Sequence, residues 1–261
     1  MEKLKMIESM KKVKGVLGVA VIVGVLGSLS FAARPFSVED SGVLEKGFEL
    51  ELGYSGNTDG EVKEYEKGFV INASVIPEKV QVGYERAYTD AQNHPFGSGD
   101  SALSVKYNFL PEQALKASVS MIDGDEKNGF GNEYTEYGLT YAHDFSFDKF
   151  SIYSSLGYTA YNPGEWYEYD TDEEGEEVNP EVKNNWNVGV GLQYPLLEGL
   201  DLCLEATKQV VKGDYLDNLD GYLTGMIGLV WTVNEIPFDI SYTTNADSQD
   251  YTYAFGTTLG F

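Results

Sequence analysis

Tyr251-Thr-Tyr-Ala-Phe-Gly-Thr-Thr-Leu-Gly-Phe261 is the stretch whose reading decides the fold. Steps of two back from Phe261 meet Leu259, Thr257, Phe255, Tyr253 and Tyr251, while the other phase holds Gly260, Thr258, Gly256, Ala254 and Thr252. Side chains alternate across a strand, so one face of this segment is large and apolar and the other small and polar. The polar face is too small and too wet in character to form a packed core, which puts the apolar face on the outside.

The same period recurs upstream. In Lys46-Gly-Phe-Glu-Leu-Glu-Leu-Gly-Tyr54, Phe48, Leu50, Leu52 and Tyr54 face one way, and Glu49, Glu51 and Gly53 the other. A glutamate at every second position suits a water-filled lumen. Followed along the chain, the pattern predicts twelve strands of about 9–12 residues, the length a tilted strand needs to cross a hydrocarbon layer. Five short connections (Pro77-Glu78, Pro111 to Gln113, Ser146 to Asp148, Pro195 to Gly199 and Asn234 to Pro237) alternate with long ones near 56–64, 89–99, 123–132, 162–183, 211–220 and 245–250. Residues 47–261 are therefore expected to form an all-β, twelve-stranded antiparallel transmembrane up-and-down β-barrel with both ends on the short-turn side. Tyr54, Tyr107, Tyr158, Trp186, Tyr194, Trp231 and Tyr251, at outward strand ends, fit two aromatic girdles at the lipid–water boundary. A soluble barrel would have to pack the aromatic face into a small core and leave Glu49, Asn187, Gln193 and Asp239 outside.

The amino-terminal region sets the compartment. A basic cluster at 10–14, an apolar run from Gly15 to Leu29 and the small residues of Ser30-Phe-Ala32 read as a signal peptide over 1–32, cleaved after Ala32. The competing reading, an anchor helix, falls short of the ~20 apolar residues that span a bilayer. Residues 33–46 follow neither period and read as a periplasmic lead-in, with folding into the barrel mouth left open. The formal charge is −24, and loss of residues 1–32 removes five Lys and two Glu, which makes the mature chain more acidic still. Such a chain is no nucleic-acid binder, because phosphate contacts need clustered Lys and Arg. A single cysteine, Cys203, makes no internal disulfide.

Two resemblances follow from quoted residues. The pattern ending on Phe261, with Tyr251, Tyr253, Phe255 and Leu259, resembles the closing strand of bacterial outer-membrane barrels, which implies recognition by the barrel assembly machinery. The stretch Glu39-Asp-Ser-Gly-Val-Leu-Glu-Lys-Gly-Phe-Glu-Leu-Glu-Leu-Gly-Tyr54 resembles the opening of a family of outer-membrane barrels, the phenol-degradation-pathway or toluene-type transport proteins. That resemblance covers 16 residues. It implies passage of small, including aromatic, molecules and supplies no binding residues.

The strand phases assign Glu49, Glu51, Glu85, Glu136, Asp201, Glu205 and Asp239 to the lumen, against Lys106 and Lys116. Seven acids against two bases favour cations over anions in an open pore. The long loops hold 21 acids, nine of them between 162 and 183. Within that loop Asp170, Asp172, Glu174 and Glu181 stand at calcium-loop spacing, although Glu replaces the usual Asp or Asn at the fifth place and flanking helices are excluded by Pro163 and Pro180. A solvated acidic loop is the competing reading. His94-Pro-Phe and His143-Asp-Phe lack the partners of a membrane hydrolase, and no His/Cys ligand spacing occurs, so neither enzyme nor cofactor is expected. The expected function is an outer-membrane channel for neutral, aromatic or cationic solutes, its partners being lipid, the assembly machinery and the solute. The alternative is a non-conducting structural or display barrel.

Overall fold

The computed structural model describes residues 38–58, 63–91, 97–124, 134–163, 170–171, 177–178, 184–211, 223–246 and 251–261. Twelve long strands form one antiparallel sheet closed on itself: β1 (Phe48–Thr58), β2 (Lys63–Ile76), β3 (Val80–Ala91), β4 (Gly97–Leu110), β5 (Gln113–Met121), β6 (Tyr134–Ser146), β7 (Ser151–Pro163), β10 (Asn185–Leu197), β11 (Leu200–Val211), β12 (Leu223–Val233), β13 (Ile236–Asn245) and β14 (Tyr251–Gly260). Two short strands, β8 (Asp170–Thr171) and β9 (Glu177–Val178), pair separately between β7 and β10. Each barrel strand pairs with its sequence neighbour, and β1 pairs with β14 to complete the ring. Closure leaves no unpaired edge, the requirement for a sheet surrounded by lipid.

The two faces segregate as the alternation requires. Trp231 is 60% exposed and Val188 and Ile227 about 50%, whereas Glu51, Lys106 and Glu205 on the opposite face are 6–7% exposed. Aromatic residues gather at both rims of the outer face. At the rim carrying the short turns, Phe48 stacks on Phe261 at 5.1 Å and His143 lies tilted against Phe145 at 4.1 Å between ring centroids. At the rim carrying the long loops, Tyr158 meets Trp186 at 4.9 Å and Tyr242 meets Tyr251 at 5.8 Å.

The strands run 9 to 14 residues, longer than the sequence period suggests, and they lengthen at the expense of the connections. Gln113, the segment from Pro195 to Leu197, and Ile236-Pro237 belong to strands rather than turns. The reason is visible in the backbone. Asn234 and Glu235 both adopt positive φ (50° and 69°), which lets a two-residue turn reverse the chain with the twist of the flanking strands, while Glu112 (62°) follows Pro111 in a turn beside a bulge. Local register shifts between Ser74 and Ile76, Asn108 and Leu110, and Pro195 and Leu197 place an extra residue beside three of the turns. A bulge of this kind hides a periodic reading at strand ends.

Candidate functional site: a lumen crossed by its own leading segment

Residues 38–44 fold from the short-turn rim into the barrel mouth, against the inner wall. Gly47 is where they enter: it has φ 77°, and a Cβ there would stand 2.1 Å from the Phe261 carbonyl oxygen. Only glycine fits a left-handed backbone so close to the seam. On the strand side, Phe48 and Phe261 exchange both backbone hydrogen bonds, at 3.2 and 2.9 Å. On the other side the chain follows the end of β2 to the turn before β3. Gly47 and Leu44 accept at their carbonyls from the N–H groups of Ser74 and Glu78 (2.9 and 3.1 Å), and the Leu44 N–H donates to Gln81 Oε1 at 3.1 Å.

Farther toward residue 38, side chains hold this strap. Ser41 donates from its N–H to both oxygens of Asp144, each at 3.1 Å, and from Oγ to Oδ2 at 2.8 Å. The Val38 N–H donates to Glu205 Oε1 at 3.2 Å. Between them Glu39 bridges two ammonium groups: Oε1 lies 2.8 Å from Lys106 Nζ and Oε2 lies 2.7 Å from Lys116 Nζ. Asp40 Oδ1 adds a second carboxylate 3.1 Å from Lys106. Burial pushes the Glu39 carboxyl up, but the two lysines outweigh it and hold the group below its ordinary value of 4.5. A charge taken out of water is tolerable only when paired in this way.

The strap also finds an apolar patch that the period-two reading did not show. Val38 is 1% exposed and clusters with Tyr153, Cys203, Met226 and Val230 on the inner wall. Gly189 makes room for it, since a Cβ there would meet Val38 Cγ2 at 2.7 Å. The lumen face is thus mixed rather than uniformly polar. Cys203 is fully buried and forms no disulfide.

Beside the strap is a cavity of about 490 Å³, within the ~300–1,000 Å³ of small-molecule sites. Glu45, Glu49, Gln81, Lys106, Asp201 and Thr258 are among its walls. Of the charged residues assigned to the lumen from sequence, Glu49, Glu51, Asp201, Lys106 and Lys116 border this cavity. Glu51 accepts from Asn72 Nδ2, and Asp201 accepts from Gln193 Nε2 at 2.7 Å. Glu205 sits higher, under Val38. Glu136 lies near the loop rim, its N–H donating to Ser120 Oγ at 3.1 Å. Glu85 is buried on β3, and Asp239 is buried on β13 with neither carboxylate oxygen hydrogen-bonded among the described residues.

Sequence reading missed Glu39, Asp40, Ser41 and Asp144. Asp144 was within reach, because it continues the inward phase of Glu136, Gly138, Thr140 and Ala142 to the end of β6. The strap residues carried no periodic signal. His143 lies on the outer face between Tyr141 and Phe145, away from the cavity; His94 lies outside the described residues. Of the acidic loop, Asp170 pairs with Val178 and Thr171 with Glu177 in the β8–β9 ladder, while Asp172, Glu174 and Glu181 lie outside the described residues. Among the described residues, no group of three or more His, Cys, Asp or Glu is placed to hold a metal.

No family model and no curated protein matches the chain. The likeness of residues 39–54 to the phenol-degradation-pathway or toluene-type family therefore rests on that motif alone. Solved structures do match. The KdgM porin superposes with a TM-score of 0.51 at 13% identity, over 80% of this chain and 98% of that one. The COG4313 outer membrane channel from Pseudomonas putida F1 superposes with a TM-score of 0.52 at 10% identity, over 85% and 98%. At such identities the shared property is the barrel.

Proposed function

We propose that the chain spans the bacterial outer membrane as a channel for small molecules, with the short turns and residues 38–46 on the periplasmic side. The observation that carries this reading is the cavity of about 490 Å³ inside a closed barrel whose outer wall is apolar. A polar chamber within an oily cylinder has a purpose only where solute meets membrane. The matched structures, one named a porin and one an outer membrane channel, support it.

The solute class follows from the charges left over. Glu39 and Asp40 neutralise Lys106 and Lys116, so the remaining carboxylates at the cavity, Glu45, Glu49, Glu51 and Asp201, set the field. Neutral and cationic solutes are favoured over anions in the strap-docked state. Signal-peptide removal and delivery of the closing strand to the assembly machinery belong to the same proposal.

Liposome swelling with solutes graded by size and charge tests it. Vesicles carrying the refolded protein should admit small neutral sugars and cations faster than anions of equal size; no swelling above protein-free vesicles would refute a channel. A second reading, a plugged barrel that conducts nothing, is favoured by the buried ion pairs of the strap. It predicts silence in planar bilayers from the native chain and conductance when Glu39 and Asp40 are replaced by Gln and Asn.

A further inference from the structure

Lys106 and Lys116 are direct register partners on β4 and β5, and both point into the lumen. Like charges facing each other across a ladder destabilise a sheet, and burial makes the pair costlier. The arrangement is satisfied only with an anion between the two ammonium groups. In the structure that anion is a carboxylate, Glu39, with one oxygen on each lysine and Asp40 supplying a second carboxylate to Lys106.

We propose that Lys106 and Lys116 form a dicarboxylate-binding site on the lumen wall, that Glu39 and Asp40 occupy it in cis, and that a small dicarboxylate solute competes with them. The inference goes beyond the channel reading, whose free carboxylates favour neutral and cationic solutes: the two lysines are a separate anion site on the same wall, and it does not need conduction. Three features make the exchange feasible. The strap above Leu44 is held to the wall by side chains and single N–H donors, not by a strand ladder. The cavity borders both lysines as well as Glu39 and Asp40, so a ligand can reach the ion cluster from the turn side. Two carboxylates replace two carboxylates, so the acidic walls around Glu49, Glu51 and Asp201 see no change in charge.

The test uses the full refolded chain in detergent with sodium succinate, and succinamide as the uncharged control. By isothermal titration, Glu39→Gln/Asp40→Asn should bind succinate about tenfold or more tightly than the native chain, as expected when a self-ligand occupying the site more than nine-tenths of the time is removed. Adding Lys106→Gln and Lys116→Gln should abolish that heat, and succinamide should give none. Equal affinity in the native chain and the strap variant, no succinate heat in the strap variant, or binding that survives loss of the lysines would overturn the site. A second measurement keeps the native ion cluster intact. With a bimane label on Val43→Cys in a Cys203→Ser background, succinate should move the emission toward that of water, and an unchanged spectrum at saturating succinate would count equally against the proposal. Neither readout involves flux. A barrel that conducts but shows no succinate response would lose the carboxylate site alone, and a silent barrel that binds succinate would lose only the channel.

Discussion

Gly47 shows how much a single position can determine. Its φ of 77° and the Phe261 carbonyl 2.1 Å from where a Cβ would stand leave no room for a side chain. Gly47→Ala should cost about 1–3 kcal/mol from the left-handed backbone alone, with the clash added to it. On semi-native gels the folded, fast-migrating band should convert to the unfolded one at a lower temperature than in the native chain; an unchanged conversion temperature would show that the seam relaxes freely. The residue scale is also where sequence reading was weakest. Lys106 and Lys116 were recognised as inward, yet their partners Glu39 and Asp40 lie 66 to 77 residues away along the chain in a stretch with no period. Nothing local in a sequence announces an ion pair made across that distance.

At the level of elements, the strands were legible because two solvents act on them. On the membrane reading proposed above, lipid outside and water inside impose opposite demands on alternate residues, and β1 and β14 carry that alternation almost without fault. Strand ends were less legible, because positive-φ turn residues such as Glu112 and Glu235 carry no turn-specific identity, and bulges shift the phase beside them. The strap is a different kind of element, since it owes its place to charges and not to a ladder. Its docking is expected to depend on pH in one direction. Glu39, facing Lys106 from β4 and Lys116 from β5 with Asp40 beside it, is held below 4.5, so the stabilisation is complete above that value and is lost as pH falls through the lowered one. Asp144 and Glu205 are the other carboxylates gripping the strap. A bimane label at Val43 should therefore report release only below about pH 4.5, while Glu39→Gln should report a loosened strap already at neutral pH. A label that stayed docked down to pH 3 would argue that Val38 and its apolar patch, not the charges, hold the segment.

For the whole molecule, the decisive question is which medium each face meets. Leu192 and Gln193 are consecutive on β10 and point to opposite sides, Gln193 toward the cavity and its partner Asp201. Nitroxide labels at the two positions, in a Cys203→Ser background, should show collisions with oxygen at 192 and with a water-soluble nickel chelate at 193. The reverse order would place the apolar wall around a core and remove the membrane from the account. The global fold was the most legible property of all. Twelve repeats of one alternation, with short and long connections taking turns, leave a closed even-stranded cylinder as the simplest arrangement. What occupies the cylinder was not legible, because interior packing depends on the shapes of Tyr153, Met226 and Gly189 together and on a segment that belongs to no strand.

The meeting of Gly47 with Phe261 ties that occupant to the wall. The strap leaves the cavity through Gly47, the residue next to the Phe48–Phe261 pair that zips the first and last strands together. A tug on the tether is delivered through Gly47 to that zipper and, through the bonds of Gly47 and Leu44, to β2 beside it. Cargo that evicts the tether would thus announce its arrival on the outer rim, beside the stacked rings of Phe48 and Phe261.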